Sequence, residues 1–314
     1  MKERVLFITL LLFCCFQTVA QTYSKLTVNE NKQHCFPDSI PPGNYSGITW
    51  LGGDQYAVVS DKSKDDGFFI FEVKTDSVSG EILSAHNVGF KSSGHSNRDD
   101  EGITYNPHTN TLFISGENGN IIKEYTLDGK LTGREILPTE CYKHLPGNLG
   151  LEALSYNPVT HRLWTCNESD SVFIQSYNDS LQVQNSFLYF LDKPIGDRAK
   201  AQWYAHGIGT ICALDDGSLL VLEREFYVPH KKIGAFVNCK LFKTNLKSQT
   251  KLLVAQWKTS LTLFNRNIAN YEGMCLGPTL KDGSRVIILV ADSQNQYAGI
   301  LKDWMKSLKL TVHQ

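Results

Sequence analysis

The sequence predicts an all-β fold, a β-propeller of four-stranded blades, and two observations support this prediction. From residue 22 onward, short runs of β-branched, aromatic and aliphatic residues are separated by Gly, Asn, Asp and Pro, a texture typical of strands joined by tight turns. One strand signature also recurs along the chain. Helical periodicity is nearly absent, and we expect a single short helix over residues 297–304.

The recurring element is the first strand of each blade. Its copies follow one another at steps of 55, 51, 57 and 63 residues, a period that indicates a propeller in an all-β chain. The copies are centred on Ile48, Ile103, Leu154, Ile211 and Met274. The prediction is therefore five blades; a sixth would have to lie in degenerate sequence, and the longest step is too short for two.

Each first strand is followed by turn residues and further strands. Second strands are predicted at 55–60, 111–115, 162–166, 218–222 and 285–291, and third strands at 68–73, 121–127, 171–177, 239–246 and 308–312. The fifth copy ends before a fourth strand. The alternating segment 22–28 can supply it, because an N-terminal strand that joins the last blade closes a propeller ring.

Residues 1–20 have the pattern of a signal peptide. Lys2 and Arg4 precede an apolar run over 5–16, and small residues follow at Thr18 and Ala20. We therefore expect an exported protein, periplasmic or extracellular, with one domain over 21–314. No later stretch could span a membrane, and we expect a monomer. The formal net charge of −1 gives no reason to expect a nucleic acid partner.

Six cysteines remain beyond the predicted signal peptide. An oxidising compartment permits disulfides, but spacing does not fix their pairing. Cys166, Cys212 and Cys275 fall in predicted strands, where single cysteines pack as small hydrophobic residues. The absence of a CxxC motif argues against a thiolate-ligated zinc site.

Carboxylates recur at two positions of the repeat. One stands where the second strand ends, and another stands where three of the first strands begin. The second-strand set is Asp61, Glu117, Glu168, Glu223 and Asp292. The first-strand set is Glu101, Glu152 and Glu272. Because both positions face the same end of the central channel, we expect the eight carboxylates to converge at one mouth.

Crowded carboxylates repel one another, so raised pKa values or a bound cation must relieve the repulsion. Oxygen ligands in this number suit a hard cation, and Ca²⁺ is the cofactor that we predict, with another hard divalent cation as the alternative. The competing interpretation is structural, since acids at strand ends can cap backbone N–H groups of the next blade. Ser46 and Gly209 stand where the other repeats carry glutamate, so the acidic ring is incomplete.

Five cationic or titratable side chains near this mouth are candidates for substrate binding. They are Arg224, Lys62, His206, His95 and Arg98. Arg224 is the first choice because a guanidinium binds two phosphate oxygens at once. Its alternative is an ion pair with a glutamate of a neighbouring blade, and the histidines have the alternative of ordinary surface or hydrogen-bonded positions.

Several of these segments together resemble the phytase-like family, the "esterase-like activity of phytase" domain. They are Gly47-Ile48-Thr49-Trp50, Asp100-Glu101-Gly102-Ile103, Leu151-Glu152-Ala153-Leu154, Asp216-Gly217-Ser218-Leu219-Leu220-Val221-Leu222-Glu223-Arg224 and Tyr271-Glu272-Gly273-Met274. The resemblance covers roughly residues 40–310. It implies a secreted propeller that hydrolyses phosphoesters or other esters.

Our leading hypothesis is therefore an exported, calcium-dependent phosphoester hydrolase in which Glu101, Glu152 and Glu272 are catalytic. A propeller lactonase or carboxylesterase, and a non-catalytic binding propeller, are the alternatives. Serine hydrolase chemistry is poorly supported, because Gly43-Asn44-Tyr45-Ser46-Gly47 has the wrong spacing for a nucleophile elbow. A P-loop, a dinucleotide fingerprint and a His-Glu-x-x-His motif are absent.

Overall fold

The computed structural model describes residues 26–145, 149–168 and 171–313. They form five four-stranded antiparallel sheets arranged as a five-bladed β-propeller, which confirms the predicted fold and blade count. The innermost strands of successive blades contact one another around the ring, and the fifth contacts the first. The predicted signal peptide over 1–20 lies outside the described residues.

Each blade follows chain order from the channel outward, with one exception in the last. Blade 1 contains β2 (Tyr45–Gly52), β3 (Gln55–Ser60), β4 (Asp65–Thr75) and β5 (Ile82–Ser96). Blade 2 contains β6 (Asp100–Asn106), β7 (Thr111–Gly116), β8 (Ile121–Thr126) and β9 (Leu131–Ile136). Blade 3 contains β10 (Leu151–Asn157), β11 (Arg162–Asn167), β12 (Val172–Tyr177) and β13 (Val183–Tyr189). Blade 4 contains β14 (Ala201–Ala213), β15 (Leu219–Pro229), β16 (Phe236–Asn245) and β17 (Thr250–Ser260). Blade 5 contains β18 (Asn270–Thr279), β19 (Arg285–Asp292) and β20 (Met305–Val312), with β1 (Leu26–His34) as its outer strand.

The ring closes through β1, which pairs antiparallel with β20, with Leu26 opposite Val312. This confirms the expected closure by an N-terminal strand. The strand runs further than predicted, to His34, and residues 22–25 of the predicted segment lie outside the described residues. Because β1 covers the edge of β20, the N-terminal strand and the C-terminal strand are held in one blade.

Five hydrophobic clusters fill the spaces between adjacent blades. Phe68 of blade 1 packs with Ile114 of blade 2, for example, and Leu222 of blade 4 packs with Leu289 of blade 5. Since every blade buries both faces against a neighbour, its central strands read as short apolar runs. The blade packing thereby fixes the strand ends that meet at the channel.

The expected helix over 297–304 is shorter in the structure. Only the 3-10 turn Tyr297–Gly299 forms, and another short 3-10 turn lies at Arg198–Lys200. Three consecutive residues with positive φ, Gln294 to Gln296, precede the first turn and redirect the chain. Asp303 then leaves helical geometry to accept hydrogen bonds from the backbone N–H groups of Gly43 and Asn44, each at 3.2 Å.

The six cysteines of the described ranges are unpaired. Cys166, Cys212 and Cys275 are buried in strands, as expected for small apolar residues, and Cys239 is buried as well. Within the same ranges no helix has the length and apolar character needed to cross a membrane.

Candidate functional site at the acidic mouth

Every innermost strand carries a β-bulge at the same place. In blade 3, for instance, Leu151 pairs with Asn167 and Ala153 pairs with Cys166, so Glu152 is left between two ladder positions. The residues at this bulge in the five blades are Ser46, Glu101, Glu152, Gly209 and Glu272. A bulge re-aims the side chain of its extra residue. The three glutamates consequently line one narrow central cavity of the channel.

The strand register identifies a second ring of equivalent positions. The residues that pair just before each bulge are Ser60, Gly116, Asn167, Glu223 and Ala291. The residues that follow them are Asp61, Glu117, Glu168, Arg224 and Asp292. Blade 4 therefore contributes Arg224 at the position where the other blades contribute an acid, not Glu223 as the sequence spacing suggested.

Glu223 points away from the channel because neighbouring residues of a strand face opposite sides. Its carboxylate accepts a hydrogen bond from the Tyr189 hydroxyl at 2.9 Å and from the Asp192 backbone N–H at 2.9 Å, and it is ion-paired with Lys251. The structure thus gives Glu223 a role between blades 3 and 4. It does not bring this residue to the mouth.

Arg224 contacts three of the remaining carboxylates. Its Nη2 lies 2.8 Å from Glu272, 3.0 Å from Glu168 and 3.6 Å from Glu152, and the residue is only 6% exposed. Burial alone would lower the pKa of the guanidinium, but the three glutamates outweigh it and raise that pKa. The predicted alternative for Arg224, ion pairs with glutamates of neighbouring blades, is what the structure contains.

The lack of a side chain at Gly209 leaves space for the Arg224 side chain. A Cβ at Gly209 would lie 2.7 Å from the carbonyl oxygen of Tyr271 and 3.1 Å from Cδ of Arg224. The fourth blade thus has a missing side chain at the bulge and a guanidinium at the next ring position, and the two changes fit each other sterically.

Replacing Gly209 by alanine is expected to lower the free energy of unfolding by about 1–3 kcal/mol, because the methyl group must displace Tyr271 or Arg224. Chemical denaturation measures this change. Ser46→Ala is the control at the same bulge of blade 1, where the loss is one hydrogen bond to the Asp100 carbonyl and about 1 kcal/mol. A Gly209→Ala protein as stable as the wild type would contradict the packing argument.

On the opposite side of the mouth, three carboxylates meet without a guanidinium. Ligand oxygens of Asp61, Asp99 and Glu101 lie within 4.8 Å of one another. The Lys62 ammonium bridges Asp61 and Asp99, at 2.8 Å from each. Asp99 adopts φ 59, a conformation that aspartate tolerates better than most residues, so its side chain can turn toward the mouth. Sequence reasoning missed Asp99, although it lies two residues before Glu101.

We call the eight carboxylates around this end of the channel the acidic mouth. Its members are Asp61, Asp99, Glu101, Glu117, Glu152, Glu168, Glu272 and Asp292. Glu117 is held at its edge by the backbone N–H of Gly150, which donates to Oε1 at 2.7 Å. The set keeps seven of the eight predicted acids and exchanges Glu223 for Asp99.

Burial and mutual repulsion raise the pKa values of these carboxyls. Burial raises the pKa of Glu101 well above its usual value, and the charges of Glu152 and Glu272 add to the effect. The pKa of Asp292 rises to about 6 through burial and the nearby Asp61. Groups with pKa values displaced toward neutrality can exchange protons with a substrate, and they release protons when a cation binds.

The other predicted substrate-binding residues lie apart from the mouth. Arg98 is committed to a buried cluster, where it contacts Asp100 at 3.2 Å and the Tyr125 hydroxyl at 3.0 Å. His95 is exposed near the end of β5. His206 lies on the same face of blade 4 as Glu223, and burial lowers its pKa. Of the five candidates, the structure brings Arg224 and Lys62 to the acids.

A five-bladed propeller with an acidic pocket at one end of its channel is the class that fold and site define. The sequence model of the family described as "Phytase-like: Esterase-like activity of phytase" matches residues 40–294. The chain belongs to this phytase-like family, and family and fold together support a hydrolase-like propeller. No curated protein matches the chain.

Several solved structures are similar to the chain in backbone course. A streptogramin B lyase structure is 14% identical, with a TM-score of 0.40, covering 91% of this chain and 98% of that one. The tail fibre of Staphylococcus aureus phage P68 is 13% identical, with a TM-score of 0.43, covering 90% and 53%. An auxiliary nutrient binding protein from Bacteroides thetaiotaomicron is 9% identical, with a TM-score of 0.37, covering 93% and 78%. None of these similarities assigns a function to this chain.

Proposed function

We propose that this protein is an exported, divalent-cation-dependent phosphoester hydrolase that acts at the acidic mouth. The observation that supports it best is the group Asp61, Asp99 and Glu101, whose oxygens lie within 4.8 Å of one another. This span is close to the separation of oxygen atoms on opposite sides of a calcium ion, about 4.6–5.2 Å, so small side-chain shifts would let one ion contact all three. The apolar and small-residue pattern of residues 1–20 supports export.

Two further observations fit a cation at this place. Oδ1 of Asp61 is buried and has no hydrogen-bond partner within the described residues. The Glu101 carboxylate likewise has neither a hydrogen bond nor an ion pair among the described residues. Glu152, Glu168 and Glu272, in contrast, all contact Arg224. Hard carboxylate oxygens suit Ca²⁺, and a bound ion would supply charge that polarises the ester and lowers the pKa of a water.

Binding of the phosphoryl group and transfer of protons are assigned to residues of the mouth. Three glutamates contact Nη2 of Arg224 and hold the guanidinium in place, while its Nε has no hydrogen-bond partner within the described residues and can donate to a phosphoryl oxygen. Glu152 is not one of the three carboxylates of the cation group and has a raised pKa, which suits exchange of a proton with water and with the leaving alcohol. In the balanced reaction, the oxygen of water bonds to phosphorus, the P–O ester bond breaks, and the alcohol leaves with a proton.

Hydrolysis of an uncharged carboxylic ester or lactone is the second candidate. The positive charges of Arg224 and Lys62 are both engaged by carboxylates of the mouth. Little free positive charge is therefore left for a multiply charged phosphate, which favours a substrate with no more than a small negative charge.

The decisive variant is Glu101→Gln. We expect it to weaken calcium binding about tenfold or more and to reduce kcat/KM by about 100-fold, since it removes a ligand of the proposed ion. Metal analysis of the purified protein, calcium calorimetry, and assays on a phosphomonoester, a phosphodiester and an aryl carboxylic ester, with calcium or with chelator, measure these effects. The substrate panel separates the two candidate functions.

Glu223→Gln is the matched control. It removes a buried, ion-paired glutamate only one residue from Arg224, yet its carboxylate faces Lys251 and Tyr189. It is expected to cost stability while leaving calcium affinity within about twofold of the wild type. Two results together would contradict the proposed function: purified protein that contains no metal, and a Glu101→Gln variant that equals the wild type in every assay. They would indicate a non-catalytic binding propeller.

A further inference from the structure

The first hairpin of blade 4 extends past the acidic mouth. Its strands β14 and β15 have 13 and 11 residues, whereas the corresponding strands of blade 3 have 7 and 6. The extra length lies on the side of the mouth, because Gly207 and Arg224 pair within the hairpin and the two strands continue outward to Ala201 and Pro229. Blade 4 thus raises a two-stranded wall beside the carboxylates.

One face of this wall leads from Arg224 into an apolar cavity. Residues two apart on a strand share a face, so Phe226 and Val228 follow Arg224 on the same side. Cross-strand partners share it too, which places Trp203 opposite Val228 on that face. Trp203, Phe226 and Val228 line a cavity of about 290 Å³, and Tyr297 and Leu301 line it from the other side.

The far side of the cavity is also tied to the mouth. Gln294 lines the cavity, and its backbone N–H donates to Oδ1 of Asp292 at 2.8 Å. Two separate elements, β15 and the connection between β19 and β20, therefore join this cavity to the acids. Phe226 follows Arg224 by two residues, a distance of roughly 7 Å along a strand.

The aromatic rings at this cavity are partly open to solvent. Trp203 is 58% exposed and Tyr297 is 39% exposed, so two aromatic rings stand open to solvent beside a charged mouth. Open aromatic side chains lining a cavity, with a few polar groups at one end, are typical of sites that hold the apolar part of a small molecule.

We propose that this cavity is the leaving-group subsite, and that the substrate is an ester whose alcohol carries a phenyl-sized apolar group about two to four bonds from the ester oxygen. The inference rests on the proposed function, because it assumes that the ester lies between Arg224 and the carboxylates. It narrows the substrate class to esters whose leaving alcohol can fill the apolar space beside Trp203, Phe226 and Leu301. The Lys232 ammonium, 4.8 Å from the centroid of the Tyr297 ring, lies at one side of this space.

The test compares phenylpropyl phosphate with ethyl phosphate. Both are monoesters of primary alcohols with similar leaving-group acidity, so they differ mainly in the apolar group. We expect kcat/KM to be at least about tenfold higher for phenylpropyl phosphate, through a lower KM, because burial of one ring is worth this much or more. Trp203→Ala and Tyr297→Ala are each expected to remove most of this preference while leaving ethyl phosphate within about twofold.

Both variants change exposed side chains, so loss of folding does not confuse the result; the thermal transition checks this. Equal kcat/KM for the two esters, or equal losses on both in the variants, would overturn the subsite. Calorimetric binding of phenylpropyl phosphate in chelator separates this inference from the proposed function. If the ester binds in a Trp203-dependent way but is not hydrolysed with calcium, the subsite stands and the hydrolase proposal fails; if neither binding nor hydrolysis depends on Trp203, the subsite falls.

Discussion

Replacing Arg224 by methionine is expected to lower the free energy of unfolding by about 3–5 kcal/mol and to abolish activity. The guanidinium is buried, and its Nη2 lies within 3.6 Å of each of three glutamates. Methionine keeps much of the volume but leaves these carboxylates without a counter-charge, and removing one partner of a buried ion cluster carries a penalty of this size. Chemical denaturation in chelator measures it.

We also expect Arg224→Met to respond more strongly to calcium than the wild type. With Arg224 gone, Glu152, Glu168 and Glu272 become a cluster of acids that a cation can neutralise, so calcium is expected to raise the thermal transition more than it does in the wild type. Lys243→Met is the control. It breaks a half-exposed ion pair with Asp216 and is expected to cost about 0–1 kcal/mol, with no change in the calcium effect. A cost as small for Arg224→Met would mean that the glutamates are neutralised by their own protons.

The ring of blades was predictable because each blade repeats one local pattern. Strand length, turn residues and the apolar runs that fill the five blade interfaces all agree, so the count of blades and the closing strand could be derived from the sequence. The N-terminal strand was detectable by its alternation alone. Its end at His34 was not, because its register shift between Glu30 and Gln33 interrupts that alternation.

The carboxylates of the site were predictable only in the blades whose second strand ends at the mouth. In four blades the second strand stops at or just before the ring residue, and the sequence marks that end. In blade 4, β15 continues to Pro229 and no turn follows Leu222, so the spacing rule selected Glu223, one position too early. A slip of one residue reverses the face of the strand, which explains why Arg224 took the place assigned to an acid.

Two local features of the site, the bulge in each innermost strand and the position of Asp99, could not be predicted from the sequence. A bulge adds one residue without changing the run of apolar and small side chains, so nothing in the spacing of Glu152 or Gly209 reveals it. Asp99 reaches the mouth through a left-handed backbone conformation, which depends on the Asn97 side chain that accepts from its N–H at 2.6 Å. Both features arise from local backbone geometry and not from composition.

Stability in chelator is expected to fall as pH rises from about 4 to 7, the reverse of the usual behaviour of paired carboxylates. Burial and the neighbouring Asp61 raise the pKa of Asp292 from its ordinary value of 3.8 to about 6. A folded-state pKa above the unfolded value means that the folded protein binds more protons in this window, so its stability is full below about pH 4 and is lost as pH rises through 6. Asp292 alone accounts for about 3 kcal/mol.

Calcium is expected to reverse this trend. Glu101 and Glu152 also have raised pKa values, and a bound cation favours the ionised form of every carboxylate near it. The stabilisation by calcium should therefore be small near pH 5 and several kcal/mol larger near pH 8, with protons released on binding. Denaturation curves across this range, with calcium and with chelator, measure both effects, and Asp292→Asn is the control that should remove its share of the fall in chelator. Stability in chelator that rises steadily from pH 5 to 8 would contradict the crowding of acids at the mouth, because it would mean that these carboxyls ionise in the folded protein as easily as in the unfolded chain.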